Sequence, residues 1–283
     1  MPWQIPAIIS LITVSFANVL ERHLMRHDKS DPIGYAIVFQ FILAIFAFIF
    51  AILFGRWIPP NIQKMPINWL LSGVLWAGAT LFGFKAIKSL SAGETNTLTS
   101  SASVISMLLG FALFKENLKP IVIFGAVLIF ISIFVIYSRK LNFISRKGII
   151  FALLAACCSG VAVVNDAYIL KTYEAFSYTA ISSLLPGILL LILFLPNFLK
   201  LIKTMNIKFI AIMIVFCILY VAQAIAYYFA FEKGAPVSQL SPLIRSSVVL
   251  TVILGAIFLK ERDNLLRKVI ASIIMLIGVL LLG

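Results

Sequence analysis

The chain has 283 residues, of which 62% are hydrophobic and only 12% charged, and its mean hydropathy is +1.11. A soluble domain is about 45–50% apolar and about 25% charged, so water cannot solvate this surface, and a polytopic membrane protein remains. The net charge of +13 does not signal nucleic acid, because 22 of the 23 Lys and Arg sit near the ends of apolar stretches, as interfacial anchors and topology signals do.

Ten apolar segments follow one another with short connections, roughly 4–25, 32–54, 67–88, 92–114, 119–137, 147–170, 176–198, 207–231, 235–259 and 266–282. A helix needs about 20 apolar residues to cross the hydrocarbon layer, and without water each span must satisfy its own backbone. The expectation is an all-α polytopic membrane protein of ten transmembrane helices.

The first segment is long enough to span and has no basic n-region, so a cleavable signal peptide is not expected. It carries Asn18 and Glu21 on one helical face, and His23 and His27 at its end read as surface residues. The second carries Gln40 and the third Trp76, with Gly73, Gly78 and Gly83 as points of close helix approach. The fourth is unusually polar, from Glu94 and Asn96 through Thr99, Ser100, Ser101, Ser103 and Ser106. Its polar side must face other helices or a water-filled cavity. The sixth holds Asn165, Asp166 and Tyr168, a patch like that of the first segment, together with Gly160. Pro186-Gly187 is expected to kink the seventh. The eighth carries Gln223, Tyr227 and Tyr228, and the ninth Gln239 and Arg245. Cys157, Cys158 and Cys217 lie inside apolar segments and read as small packing residues.

An internal repeat runs through this series. Gly110-Phe-Ala-Leu-Phe-Lys115-Glu116 reappears as Gly255-Ala-Ile-Phe-Leu-Lys260-Glu261. Each copy ends an apolar helix that follows a short polar turn, and one last helix follows each. The unit is five helices used twice, over residues 1–141 and 142–283. An odd number of spans per unit inverts the second half in the membrane, which puts a site at the midplane and permits alternating access. The Lys-Glu pairs themselves read as structural, an acid before a helix and a lysine at the surface.

These paired halves, with their Lys-Glu ends and Gly/Ala-rich closing helices, resemble the drug/metabolite transporter superfamily, EamA type. The resemblance covers almost the whole chain. It implies a ten-helix inverted-repeat carrier of small organic metabolites, often amino acids or related compounds and frequently an exporter, with a cavity lined mainly by helices 1, 3, 4, 6, 8 and 9. One departure is that the fourth helix has Thr97 near where the ninth has Pro242.

A charge at membrane depth is a functional candidate by default. Arg245 lies about ten residues, or about 15 Å, into its helix, while its counterpart in the first half is Ser100. Its guanidinium suits a carboxylate or phosphate. The bland alternative is a buried ion pair with Asp166 or Glu94. The expected substrate-binding residues are Arg245, Glu94, Asn96, Asn18, Trp76, Asn165, Tyr227, Gln239 and Gln223, and the proton-coupling candidates are Asp166, Glu21 and Glu94. Each also has an ordinary role open to it, as helix packing or interfacial anchoring.

The function expected is secondary transport of a small organic metabolite, an amino acid or related zwitterionic or anionic compound, coupled to protons or by exchange. The alternative is an integral-membrane transferase acting on a lipid-linked or phosphorylated substrate. Such enzymes need clustered aspartates for Mg²⁺, and the chain has four Asp in all, at 28, 31, 166 and 263. No cofactor, metal or nucleic acid is expected, and no enzyme activity. The partners are the substrate and the bilayer of a plasma membrane (the bacterial inner membrane), with monomer and homodimer both open. Sixteen Lys/Arg in odd-numbered connections against six in even-numbered ones place both termini outside by the positive-inside rule, whereas the resemblance implies both inside.

Overall fold

The computed structural model describes residues 2–25, 31–114, 120–137, 145–205, 207–260 and 265–282. Its described regular structure is entirely helical: α1 (Gln4–Met25), α2 (Pro32–Leu53), a 3₁₀ turn (Ile62–Lys64), α3 (Pro66–Ser89), α4 (Ala92–Thr99), α5 (Ala102–Phe114), α6 (Pro120–Tyr137), α7 (Arg146–Ile169), α8 (Ala175–Leu193), α9 (Leu195–Thr204), α10 (Ile207–Glu232), α11 (Val237–Arg245), α12 (Ser247–Phe258) and α13 (Leu265–Leu282). Among the described residues, seven stretches are long and apolar enough to cross a membrane: α1, α2, α3, α7, α8, α10 and the α11–α12 pair.

Local chemistry sets the ends. Asp31 caps α2 by accepting from the Ile33 amide, with Pro32 at the first helical position, where its missing N–H costs nothing. Ser145 caps α7 through Gly148 N, and Glu174 caps α8 through Phe176 N and Ser177 N. Gly55 (φ +63°) and Gly234 (φ +83°) close α2 and α10 in the left-handed region. The amide after each glycine reaches back five residues, Arg56 N to Ala51 O and Ala235 N to Ala230 O, satisfying carbonyls that the helix end leaves free.

Cross-helix contacts define two ends of the bundle. At one, Arg56 bridges Glu174 and Glu232, so the end of α2 meets the start of α8 and the end of α10. At the other, Arg22 Nη1 donates to Ile87 O at 2.7 Å, joining the ends of α1 and α3. We call these the Arg56 face and the Arg22 face. The most extensive helix interfaces pair α3 with α7, α6 with α13, α2 with α8 and α1 with α10. One apolar core gathers Phe39, Phe84 and Phe216 from α2, α3 and α10. A second, towards the Arg56 face, gathers Trp69, Tyr178, Tyr227, Tyr228, Phe231 and Leu240. Large apolar side chains such as Ile45, Phe124, Leu193 and Ile257 remain exposed, as lipid contact requires.

Several expectations change. The fourth and ninth segments are each two helices, broken at Ser100–Ser101 and at Ser246. Serine hydroxyls add a second donor to carbonyls at each break: Ser100 donates to Asn96 O, Ser101 to Leu98 O and Ser246 to Leu243 O, each at 2.7 Å, beside the backbone amides of the same serines. The break therefore forms in both halves, although only the second carries a proline there. The seventh segment ends at Leu193, and α9 is a separate amphipathic helix that turns Phe198 and Leu201 inward and exposes Leu195, Leu199 and Ile202. Pro186 lies within α8 without ending it; the adjacent Gly187 lets α8 approach α2, since a Cβ there would sit 3.2 Å from Gln40 Cβ. A Cβ on Gly73, Gly78 or Gly160 would likewise crowd a neighbouring helix, but one on Gly83 would meet nothing within 4 Å, because Gly83 borders a cavity. Cys157 is exposed instead of packed, while Cys217 is buried. His27, Lys115, Glu116 and Glu261 lie outside the described residues, as do the side chains of Thr97 and Pro242.

Candidate functional site

A cavity of about 190 Å³ occupies the middle of the bundle. Its wall draws on α1, α2, α3, α4, α7, α8, α10 and α11, and on Ser247 at the start of α12. Towards the Arg22 face it reaches Glu21, Ile87 and Ala92, close to the ends of α1, α3 and α4. Towards the Arg56 face it is floored by the aromatic core, whose Trp76, Tyr227 and Tyr228 belong to both.

Arg245 is the last residue of α11, just before the helix break at Ser246, and it lines the cavity wall. Among the described residues it makes no hydrogen bond or ion pair with a carboxylate; its electrostatic neighbours are the hydroxyls of Tyr220 and Tyr227. Glu21 lines the same cavity, and Tyr220 lies in the field of both charges. The cavity thus presents a cation and a carboxyl that do not neutralise each other by direct contact.

Asn96 and Asn18 also line the cavity. Asn96 donates to Thr251 Oγ1 at 3.2 Å, and Asn18 reaches the same oxygen at 3.5 Å. These bonds tie α1 and α4 to α12. Gln223 lines the wall and donates to Ser10 Oγ at 3.2 Å. Trp76 and Tyr227 complete the expected residues that the fold brings together.

Four others stand elsewhere. Glu94 accepts from the Ser91 amide at 2.9 Å, and its own amide bonds Ser91 Oγ. This reciprocal capping box starts α4 and uses the carboxylate locally. Asn165 exchanges hydrogen bonds with Asn68, through its side-chain oxygen at 2.8 Å and to the Asn68 carbonyl at 2.9 Å, joining α7 to α3. Gln239 is half-buried in the first turn of α11 and does not border the cavity. Asp166 sits behind the wall, with no exposed surface.

Asp166 is held by three aromatic donors from three helices. Trp76 Nε1 lies 3.0 and 3.2 Å from its two oxygens, Tyr228 OH donates to Oδ2 at 3.2 Å, and Tyr178 OH bonds Oδ1. A hydrogen bond to a charged group contributes about 1.5–3 kcal/mol, and the insertion-scale cost of an aspartate at a helix centre, about 2.5–3.5 kcal/mol, is an upper bound for Asp166, three residues from the end of α7. Three donors are therefore enough to hold the carboxylate without a cation. Tyr178 and Thr251 were not singled out from sequence. A hydroxyl on an apolar helix gives no signal until the fold puts it against a carboxylate or an amide.

On the Arg56 face, Arg56 binds Glu174 through Nε and Glu232 through Nη2, each at 2.7 Å. The rings of Phe176 and Phe229 lie 5.2 and 5.1 Å from its guanidinium carbon, within cation–π range. Burial pushes the Glu174 carboxyl above its ordinary range, and the amides it caps together with Arg56 pull it back. Among the described residues no group of three His, Cys, Asp or Glu is placed to hold a metal ion.

The model of the EamA-like transporter family matches residues 1–138 and 146–283. Solved structures share the fold. One crystal structure aligns over 98% of this chain and 94% of its own, with a TM-score of 0.71 at 15% identity. No curated protein sequence matches the chain.

Proposed function

The chain belongs to the EamA-like transporter family and is a multi-pass membrane transporter of the drug/metabolite type; from that premise we propose that it carries a small anionic or zwitterionic organic metabolite, such as an amino acid, by alternating access. Ten spans in two inverted halves, counting α4–α5 and α11–α12 as one each, would do this in a plasma membrane. Two features support the inverted reading. The matched stretches begin 145 residues apart, and that shift exchanges the α1–α10 interface with the α3–α7 interface while returning α2–α8 and α6–α13 to themselves. The same shift pairs the helix breaks at Ser101 and Ser246. Discontinuous helices at a midplane site are a recurring feature of carriers with repeats.

The observation that carries the substrate class is Arg245. Holding its charge at membrane depth costs about 2.5–3.5 kcal/mol on insertion scales, and no carboxylate among the described residues offsets this by direct contact. A substrate carboxylate or phosphate forked to the guanidinium would supply that contact. Glu21, in the same cavity, gives an ammonium group a partner and is the better placed of the coupling candidates, because Asp166 is engaged by its donors and Glu94 by its cap.

The test is uptake into proteoliposomes of a labelled substrate selected by thermal-shift screening against zwitterions and carboxylates. Arg245→Ala is expected to lower uptake at least tenfold, with Arg245→Lys retaining part of it. Unchanged uptake by Arg245→Ala would overturn the assignment. Accumulation should also slow when the pH gradient is collapsed; equal rates would leave exchange as the mode.

A further inference from the structure

The three rings around Asp166 belong to two structures at once. Trp76 and Tyr228 are part of the cavity wall, and with Tyr178 they are part of the aromatic core that closes the bundle towards the Arg56 face. Tyr178 packs against Trp69 at 5.4 Å and Tyr228 at 5.0 Å between ring centroids, and its hydroxyl also meets Ser72 Oγ at 3.2 Å. The rings come from α3, α8 and α10, and the carboxylate that joins them from α7. A solute leaving the cavity towards the Arg56 face has to part these helices, and Asp166 is the one acceptor all three rings share.

We propose that Asp166 is a positioning residue of the transport cycle, whose carboxyl group holds Trp76, Tyr178 and Tyr228 as the closed gate between the cavity and the Arg56 face. The proposal rests on the transporter reading and adds the element that keeps one side shut. The chemistry requires a carboxylate. Indole N–H can only donate, and Tyr228 and Tyr178 are oriented as donors to the same group. An asparagine would offer one acceptor oxygen, so the indole would lose one of its two contacts and a tyrosine facing the NH₂ would have to turn from donor to acceptor, which loosens the hold on the rings. The Arg56 bridge to Glu174 and Glu232 lies beyond this gate in the same direction and ties the outer ends of α8 and α10; it is a second barrier in series.

The test uses the full chain with Cys157, Cys158 and Cys217 replaced by alanine and a single cysteine introduced as Ala79→Cys. Ala79 borders the cavity one turn beyond Trp76, on the side of the Arg22 face. A charged, membrane-impermeant methanethiosulfonate is applied to oriented vesicles from one side and then the other. With Asp166 intact, labelling is expected from the Arg22 face alone. Asp166→Asn should raise labelling from the Arg56 face at least tenfold, and Trp76→Phe or Tyr228→Phe should raise it by a smaller factor. Asn197→Ala, which breaks a bond to Asp31 at the other face, should leave it at the original rate and so separates gating from general loosening. If Asp166→Asn does not fold, the two ring variants carry the test. Labelling from the Arg56 face that stays at background in every folded variant overturns the proposal, as does labelling from that face while Asp166 is intact. The readout needs no substrate, so its failure is distinct from a failed Arg245 transport assay.

Discussion

Glu21 and Asp166 occupy equivalent places in the two halves, 145 residues apart, each within about a turn of the end of its helix. Their surroundings have diverged. Glu21 borders the cavity and makes no hydrogen bond or ion pair among the described residues, while Asp166 is wrapped by Trp76, Tyr178 and Tyr228. By the same shift, the positions of those rings correspond to Val221, Ile33 and Gly83, none of which has a side-chain donor. One backbone plan thus yields an acid free to meet a solute and an acid committed to holding helices together. The difference is made by three side chains on other helices, not by the acids themselves.

Stability measurements can break this comparison. The largest effect is expected from Asp166→Ala, which leaves buried aromatic donors unpaired at about 1–3 kcal/mol each; unfolding in detergent should show a loss of about 3 kcal/mol or more. Glu21→Ala should stay within about 0.5 kcal/mol, as substitutions away from committed contacts do. Equal losses would erase the distinction.

A sharper version uses two tyrosines on α10. Tyr228→Phe removes a donor from Asp166 and should cost about 1.5–3 kcal/mol. Tyr220→Phe, beside Glu21, removes no hydrogen bond found among the described residues and should cost less than about 0.5 kcal/mol.

The smallest contrast concerns the outer bridge. Arg56→Gln should cost about 1 kcal/mol, the upper range for exposed pairs, since Arg56 has 32% side-chain exposure. Burial holds the Glu174 carboxyl above its ordinary value, so ionising it costs stability as pH rises through that window, and Arg56 offsets part of the cost. The gap between the native chain and Arg56→Gln should therefore widen with rising pH and narrow as Glu174 is protonated. A gap independent of pH would remove Glu174 from the bridge.

Much of the site was legible in the chain because charge at membrane depth is rare. Arg245 and Glu21 stood out for that reason, and the structure brings both to the cavity. Asn18, Asn96, Trp76, Gln223 and Tyr227 join them, since polar and aromatic side chains on apolar helices have few other places to go. Glu94 misled because its residue type fits two roles. Ser91 three residues earlier already spelled a capping box, and that local bond competes with any cavity role. Asn165 misled because its partner, Asn68, lies 97 residues away.

The sequence by itself determined the helical membrane class, since composition and long apolar runs answer to the solvent and need no knowledge of neighbours. The serine-rich stretch at 100–106 also announced a helix with an unusual polar side. Only the tertiary structure decided which charge is open and which is committed. Hydrogen bonds between helices depend on residues distant in the chain meeting within about 3 Å, and no periodicity within one helix records them. The scarcity of charge marked Arg245, Glu21 and Asp166 alike; packing left the first two at the cavity and enclosed the third.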